Sequence, residues 1–232
     1  MDKKLTYQHF QRHLVAVDSI IFGFRENELK LLLIKRKFEH HRNQWSLMGG
    51  FVGLDESVDH AASRILEELT GLNNIYLEQL YSYGDPYRDD GNRVISIAYY
   101  ALINIEDYDE KQGQQHGAQW FSFDKIPPLV FDHRTMVEKA LRRLRRKTII
   151  QPVGFELLPE KFTLTQLQNL YEAIHSQKLD KRNFRKKILA MDVLQKLDEK
   201  DKVYSKRGAY LYKFNKEKYD ALKSEGNPIA FK

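Results

Sequence analysis

Residues 49 to 72 read Gly49-Gly50-Phe51-Val52-Gly53-Leu54-Asp55-Glu56-Ser57-Val58-Asp59-His60-Ala61-Ala62-Ser63-Arg64-Ile65-Leu66-Glu67-Glu68-Leu69-Thr70-Gly71-Leu72. A glycine-rich loop runs into a segment, residues 59 to 69, that reads as a helix. Gly71 closes it, being the residue that most readily takes the left-handed backbone at a helix end. On that helix Ile65, Glu68 and Leu69 are related by three and four positions and share one face. Glu67 points about 100° away from that face.

The stretch resembles the Nudix box: Gly, five residues, Glu, seven residues, Arg-Glu-apolar, one residue, Glu-Glu, one residue, Gly and an apolar residue. Gly50, Glu56, Arg64, Leu66, Glu68, Gly71 and Leu72 fall on the pattern, while Ile65 and Leu69 stand where the family has glutamates. The resemblance implies an α/β fold, the Nudix-like α/β/α sandwich with a mixed sheet. In Nudix hydrolases it also implies clustered carboxylates on this helix face, holding Mg²⁺ or Mn²⁺ against a substrate diphosphate. Only Glu68 of the three remains, and a hard divalent cation needs several oxygen ligands. The expectation is therefore a Nudix fold that binds a guest without cleaving it, with no catalytic residue, no bound metal and no cofactor. The rival is a hydrolase of nucleoside-diphosphate derivatives with rearranged ligands, using Glu56 or a loop carboxylate, and with a nucleic-acid-binding appendage.

Outward from the box, the 232-residue chain has room for one large domain or two modest ones. Its apolar content of 42% supports a packed core, and the absence of cysteine excludes disulfides and thiolate zinc sites and fits a reducing, cytoplasmic setting. The first residues, Met1-Asp2-Lys3-Lys4-Leu5, lack the apolar core of a signal peptide, and residues 94 to 103 are too short an apolar run to span a bilayer, so no membrane role is expected. Residues 151 to 232 carry 17 Lys and Arg against 11 Asp and Glu, while residues 1 to 150 carry 21 of each. All the excess positive charge thus lies in the last third, which suits a polyanionic partner.

In chain order, residues 14 to 24 and 29 to 35 read as paired strands around a turn, and residues 45 to 48 as a short strand entering the box. Residues 75 to 83 and 93 to 105 read as strands separated by a loop rich in Asp and Gly. Residues 120 and 121 form another short strand, and residues 131 to 147 a helix with a basic end. His9 and His13 are spaced as zinc ligands on a helix are, but no third ligand is evident. His133, beside Asp132, is expected to make a hydrogen bond in a pocket or at a helix start. The side chains flanking the box that suit an effector pocket are Lys35, Trp45, Glu56, Tyr83, Asp85, Asp89, Arg93 and His133. Residues 148 to 159, with Pro152 and Pro159, read as a linker between domains at 1–150 and 151–232.

The last third reads as a helix-turn-helix with a wing. Thr163 and Gln166 fit a capping box, and Leu164, Leu167, Tyr171 and Ile174 recur on one helical face. Asp180 is an N-cap for a second helix whose Phe184, Ile188 and Met191 face inward. Its polar positions Lys181, Arg182, Asn183, Arg185 and Lys186 suit phosphates and base edges, with Thr163 and Thr165 beside them. Residues 203 to 214 read as two strands around a tip carrying Lys206 and Arg207. Together with the degenerate box, this run resembles the Nudix-related transcriptional regulators over nearly the whole chain. That resemblance implies a Nudix effector domain, a C-terminal winged helix-turn-helix and a homodimer on a pseudo-palindromic double-stranded DNA operator. Branches of the family sense ADP-ribose or L-arabinose, and the missing carboxylates favour the uncharged sugar here. A scaffold that only binds partners would respond to neither DNA nor a small effector.

Overall fold

The computed structural model describes Tyr7 and residues 10–71, 75–108, 115–202 and 208–224. Its centre is the apolar strand β1 (Leu14–Arg25), which pairs in parallel with β6 (Val94–Asn104) from Leu14 opposite Val94 to Phe24 opposite Asn104. A strand covered on both faces needs the nearly continuous apolar run that β1 has. β2 (Glu28–Lys35) returns along β1 through a two-residue turn in which Glu26 and Asn27 have φ of 57° and 61°. Two left-handed residues give the turn the twist a hairpin requires. β3 (Trp45–Ser46) and β7 (Ala118–Ser122) pair with β2, β4 (Met48–Phe51) with β1, and β5 (Tyr76–Tyr83) with β6, giving one mixed seven-stranded sheet.

Alternation along the two central strands makes three layers. Ile20, Phe22, Tyr100 and Leu102 meet the buried stripe Met136, Val137, Ala140 and Leu144 of α2 (His133–Ile150). On the other face Val17 and Tyr99 meet Ala61, Ala62 and Ile65 of α1 (Val58–Thr70). α1 starts on Ser57, whose hydroxyl accepts the His60 N–H, and stops at Gly71 with φ 73°. α2 begins later than the sequence suggested because Phe131 takes a left-handed φ of 51°, outside helical geometry.

The C-terminal unit contains α3 (Leu164–His175), α4 (Lys181–Ala190), a sheet in the order β8 (Phe162–Thr163), β10 (Ala209–Phe214), β9 (Leu194–Asp201), and α5 (Lys216–Ser224). Two expectations need correction. The stretch read as a linker is packed: α2 runs on to Ile150, and Val153, Phe155, Leu157 and Leu158 are buried in a core shared with α2, α3 and α4. Four apolar side chains in six residues make this segment core, and Pro152 is buried with them. The wing's first strand is β9, upstream of residue 203; its sequence Leu-Gln-Lys-Leu-Asp-Glu-Lys-Asp has too few apolar positions to show a period of two. Residues 203–207, including Lys206 and Arg207, lie outside the described residues, as does His9.

The two units also touch through polar contacts. Asn169 Nδ2 donates to Asn27 Oδ1 at 2.9 Å, and Arg145 donates to the Ile174 carbonyl at 2.6 Å and to Ser176 Oγ at 2.9 Å. Together with the shared core, these tie α3 to both the β1–β2 turn and α2.

Candidate functional site

A cleft of about 240 Å³ opens at the end of the sheet where β1, β4 and the loops before β3 and β6 meet α2. At its floor is Asp18, a carboxylate in the middle of the apolar run of β1 and only 7% exposed. Ser96 Oγ donates to Asp18 Oδ2 at 2.6 Å, and Arg88 Nη2 lies 3.6 Å from the same oxygen. Arg88 is itself gripped at two points by Asp132, at 2.7 and 3.0 Å. His133 Nδ1 accepts the Leu47 N–H at 3.2 Å, which leaves Nε2, 3.6 Å from Asp18 Oδ1, to carry the ring proton toward that carboxylate. Gly49 is required above this group: a Cβ there would sit 2.3 Å from Asp18 Oδ1.

Burial by itself raises the Asp18 carboxyl, but His133, Ser96 and Arg88 together outweigh it and hold the group at about 2. A depressed carboxylate stabilises the folded chain above its unfolded value of 3.8 and loses that contribution as pH falls through about 2. A shift of this size corresponds to roughly 2 to 3 kcal/mol. Urea denaturation between pH 5 and pH 2 is expected to show this loss in the wild type, with a visibly flatter acid limb in Asp18→Asn. Parallel acid limbs for the two chains would mean that Asp18 is not held down as the geometry requires.

The walls of the cleft are of two kinds. Lys35, Arg36, Lys37 and Arg88 supply positive charge, and Phe38, Phe51 and Phe131 supply ring faces. Arg36 lies 4.9 Å from the Phe131 ring centre, and Phe38 and Phe51 meet edge-on at 6.1 Å. Leu69 of the box helix adds an aliphatic patch.

The family's divalent cation does not fit the residues present. Ile65, 4% exposed, fills the space beneath Gly50, where a Cβ would meet its Cδ1 at 2.8 Å, and Leu69 packs against the same layer. The remaining carboxylates are already engaged. Arg64 donates twice to Glu56, at 2.6 and 2.9 Å, and to both oxygens of Glu68, at 3.4 and 3.5 Å. These bonds, with the Gly53 N–H at 2.7 Å, hold the Glu56 carboxyl down at about 2. One aliphatic side chain under the loop and one facing the cleft leave too few oxygens for a hard cation.

Of the eight side chains expected in a pocket, the cleft collects Lys35, Asp89 and His133. The others serve the fold nearby. Glu56 closes on Arg64; Arg93 staples its loop by donating to the Gly84 and Asp85 carbonyls; Asp85 accepts the Tyr87 N–H. Trp45 packs edge-on against Phe121 at 4.8 Å with Lys35 over its ring, and Tyr83 lies beside Lys139. Asp18, Arg88, Phe131 and Asp132 were not anticipated. For Asp18 a signal existed, since an acidic residue inside a buried strand demands a partner.

The second surface is α4. Asp180 caps it by accepting the Asn183 N–H at 2.7 Å, and Phe184 and Ile188 anchor its inner face. Glu172, held at about 2 first by the Lys178 ammonium and then by Gln168 and the Leu179 N–H, locks the turn between α3 and α4. Lys181, Arg182, Asn183 and Lys186 are exposed. Arg185 is half-buried and donates to Thr165 Oγ1 at 3.2 Å; with Lys181 it borders a cavity of about 850 Å³ between the two units. Thr163, expected at the DNA surface, is buried, and its hydroxyl is committed to the capping box with Gln166.

Two family models match the chain. The NUDIX domain family model matches residues 12–140, and the NrtR DNA-binding winged helix domain matches residues 154–214. The chain is 36% identical over 211 residues to the ADPR responsive transcriptional repressor NtrR of Acinetobacter baylyi, covering 89% of this chain and 84% of that protein. It superposes on Shewanella oneidensis NrtR in complex with a 27mer DNA with a TM-score of 0.80 at 29% identity, covering 86% of this chain and 93% of the other. The Nudix domain of that protein in complex with ADP ribose gives 0.50 at 28% identity, over 61% and 94% of the two chains.

Proposed function

The chain belongs to the Nudix-related transcriptional regulators, and from that premise we propose that it is an operator-binding repressor whose Nudix cleft takes ADP-ribose as effector. The observation that carries this reading is the pairing of two features in one packed body. One is a Nudix box whose two metal-side positions are the aliphatic Ile65 and Leu69; the other is a winged helix joined to it by a continuous core. The chain works in the cytoplasm, where operator DNA is, as a homodimer that presents two α4 helices to half-sites about 34 Å apart.

The preference for an uncharged sugar, drawn from the missing carboxylates, finds no support among the relatives. The cleft supplies a physical reason to abandon it. A diphosphate that has lost a metal needs other positive charge, and Lys35, Arg36 and Lys37 on the cleft wall provide it. Phe38, Phe51 and Phe131 offer faces on which an adenine ring can stack. Effector binding needs to couple to DNA by only about 1 to 3 kcal/mol. The route is short, because α2 starts at His133 in the cleft and ends against α3 through Arg145 and Thr148, the latter 2.9 Å from His175 Nε2.

Thermal unfolding with saturating ADP-ribose is expected to show added stability of about 2.7 kcal/mol at 100 times Kd. L-arabinose is expected to leave the melting temperature unchanged. The reverse pattern would replace the effector and keep the regulator. Incubation with Mg²⁺ and ADP-ribose is expected to release no AMP above background. Robust turnover abolished by Glu68→Gln would instead make the chain an enzyme.

A further inference from the structure

Outside the box helix, three metal-ligating side chains converge. His40 Nε2 and His41 Nε2 lie 2.8 and 2.9 Å from the same oxygen, Asp90 Oδ1. The histidines sit on the loop between β2 and β3, and Asp90 on the loop between β5 and β6. Among the described residues this is the one group of three or more His and acidic side chains whose ligand atoms all fall within 4.8 Å of one another. A tetrahedral zinc ion with bonds of about 2.0 to 2.1 Å separates its ligand atoms by about 3.3 Å. Each nitrogen therefore needs to withdraw from the oxygen by only about half an ångström to admit an ion.

The surroundings hold this arrangement in place. His41 and Asn43 take left-handed φ values of 59° and 65°, and Phe131 one of 51°. Such conformations cost of order 1 to 3 kcal/mol each for bulky side chains and persist where neighbouring structure requires them. Here they turn His41 toward Asp90 and bring the Phe131 ring against both imidazoles, at 6.3 Å stacked on His40 and 5.2 Å edge-on to His41. The two imidazoles meet edge-on at 4.2 Å.

We propose that His40, His41 and Asp90 form a binding site for a late transition-metal ion of the Zn²⁺ type, distinct from the Nudix-box position, which clasps the two loops at the rim of the cleft. Two nitrogen ligands select Zn²⁺ or Co²⁺ over Mg²⁺, which prefers oxygen donors in octahedral geometry. Three protein ligands leave a position for water or for an oxygen of an incoming ligand. The open depression beside the site, bordered by His41, Tyr87, Arg88, Asp90, Phe131 and Asp132, is where that ligand would enter. The site itself does not depend on which effector the cleft takes.

The test uses the full chain without a histidine tag, titrated with ZnCl₂ and CoCl₂ alone. One Zn²⁺ per chain is expected, with affinity lowered at least about tenfold in His41→Ala and in Asp90→Ala. A Zn²⁺-dependent rise in melting temperature is expected in the wild type only, and none with Mg²⁺. In EDTA the two variants should melt only slightly below the wild type, since they lose the His–Asp90 hydrogen bonds at the surface but no side chain of the hydrophobic core. Co²⁺ bound to the wild type should give the intense visible bands of a four-coordinate nitrogen and oxygen site. Equal Zn²⁺ affinity in all three chains, or a weak octahedral Co²⁺ spectrum in the wild type, would overturn the assignment. The Co²⁺ spectrum decides even where a variant folds poorly, and ADP-ribose binding, measured separately, leaves this result untouched.

Discussion

Replacing Arg182 and Lys186 together with alanine is expected to lower operator affinity by roughly two orders of magnitude, since each contact of this kind contributes about 1 to 3 kcal/mol. Both are exposed on α4, four positions apart and on one face, while Phe184 and Ile188 on the opposite side fix the helix to the domain. The loss should fall on DNA alone, because neither side chain borders the effector cleft or the shared core. Fluorescence anisotropy with a duplex selected by the wild-type chain from a random pool, repeated over a range of salt, reads the effect. The slope of log affinity against log salt is expected to shrink by about one for each lost phosphate contact. Stabilisation by ADP-ribose should remain. A double variant that binds DNA like the wild type would remove α4 from the interface and leave the wing and the interdomain cavity, where Lys181 and Arg185 stand, as the surface to examine.

Restoring the family's glutamate at position 65 is expected to damage the fold instead of recovering a catalyst. Ile65 is packed among Val17, Ala61, Ala62 and Tyr99 under Gly50, and none of these offers a counter-charge. The adjoining Arg64 is already spent on Glu56 and Glu68. Ile65→Glu therefore buries a polar group without a partner and should cost about 3 kcal/mol or more. Leu69→Glu should cost less, because Leu69 is only half-buried and faces the cleft. Urea denaturation of the two single variants measures both. Equal stability for Ile65→Glu and the wild type would mean that position 65 still opens to solvent and that the box retains room for an ion.

The two experiments bear on the same idea from opposite ends. If the chain turns effector occupancy into DNA release, the helix that reads DNA must be separable from the cleft by mutation, and the cleft must hold its guest without a catalytic ion. α2 connects them physically, with its first residue in the cleft and its last turn on α3.

The sequence by itself determined the local elements of the box and of the helix-turn-helix. The box helix, its glycine stop, the capping box at Thr163 and the inward stripe of α4 are local patterns, readable because a helix places neighbours three and four residues apart. The substitutions at Ile65 and Leu69 were likewise visible in one dimension, and so was the concentration of positive charge in the last third. Only the tertiary structure decided which side chains share the cleft. Asp18 from β1, Arg88 from a loop, and Asp132 and His133 from the start of α2 meet through the parallel register of β1 with β6 and the packing of α2 across the sheet. Trp45, Tyr83 and Arg93 are of the right chemical type, yet their contacts lie with Phe121, Lys139 and a loop backbone. The packed character of residues 150 to 158 and the approach of two histidines to Asp90 were equally out of reach. Contacts between distant segments depend on register and on left-handed turns, and a linear pattern of residue types encodes neither.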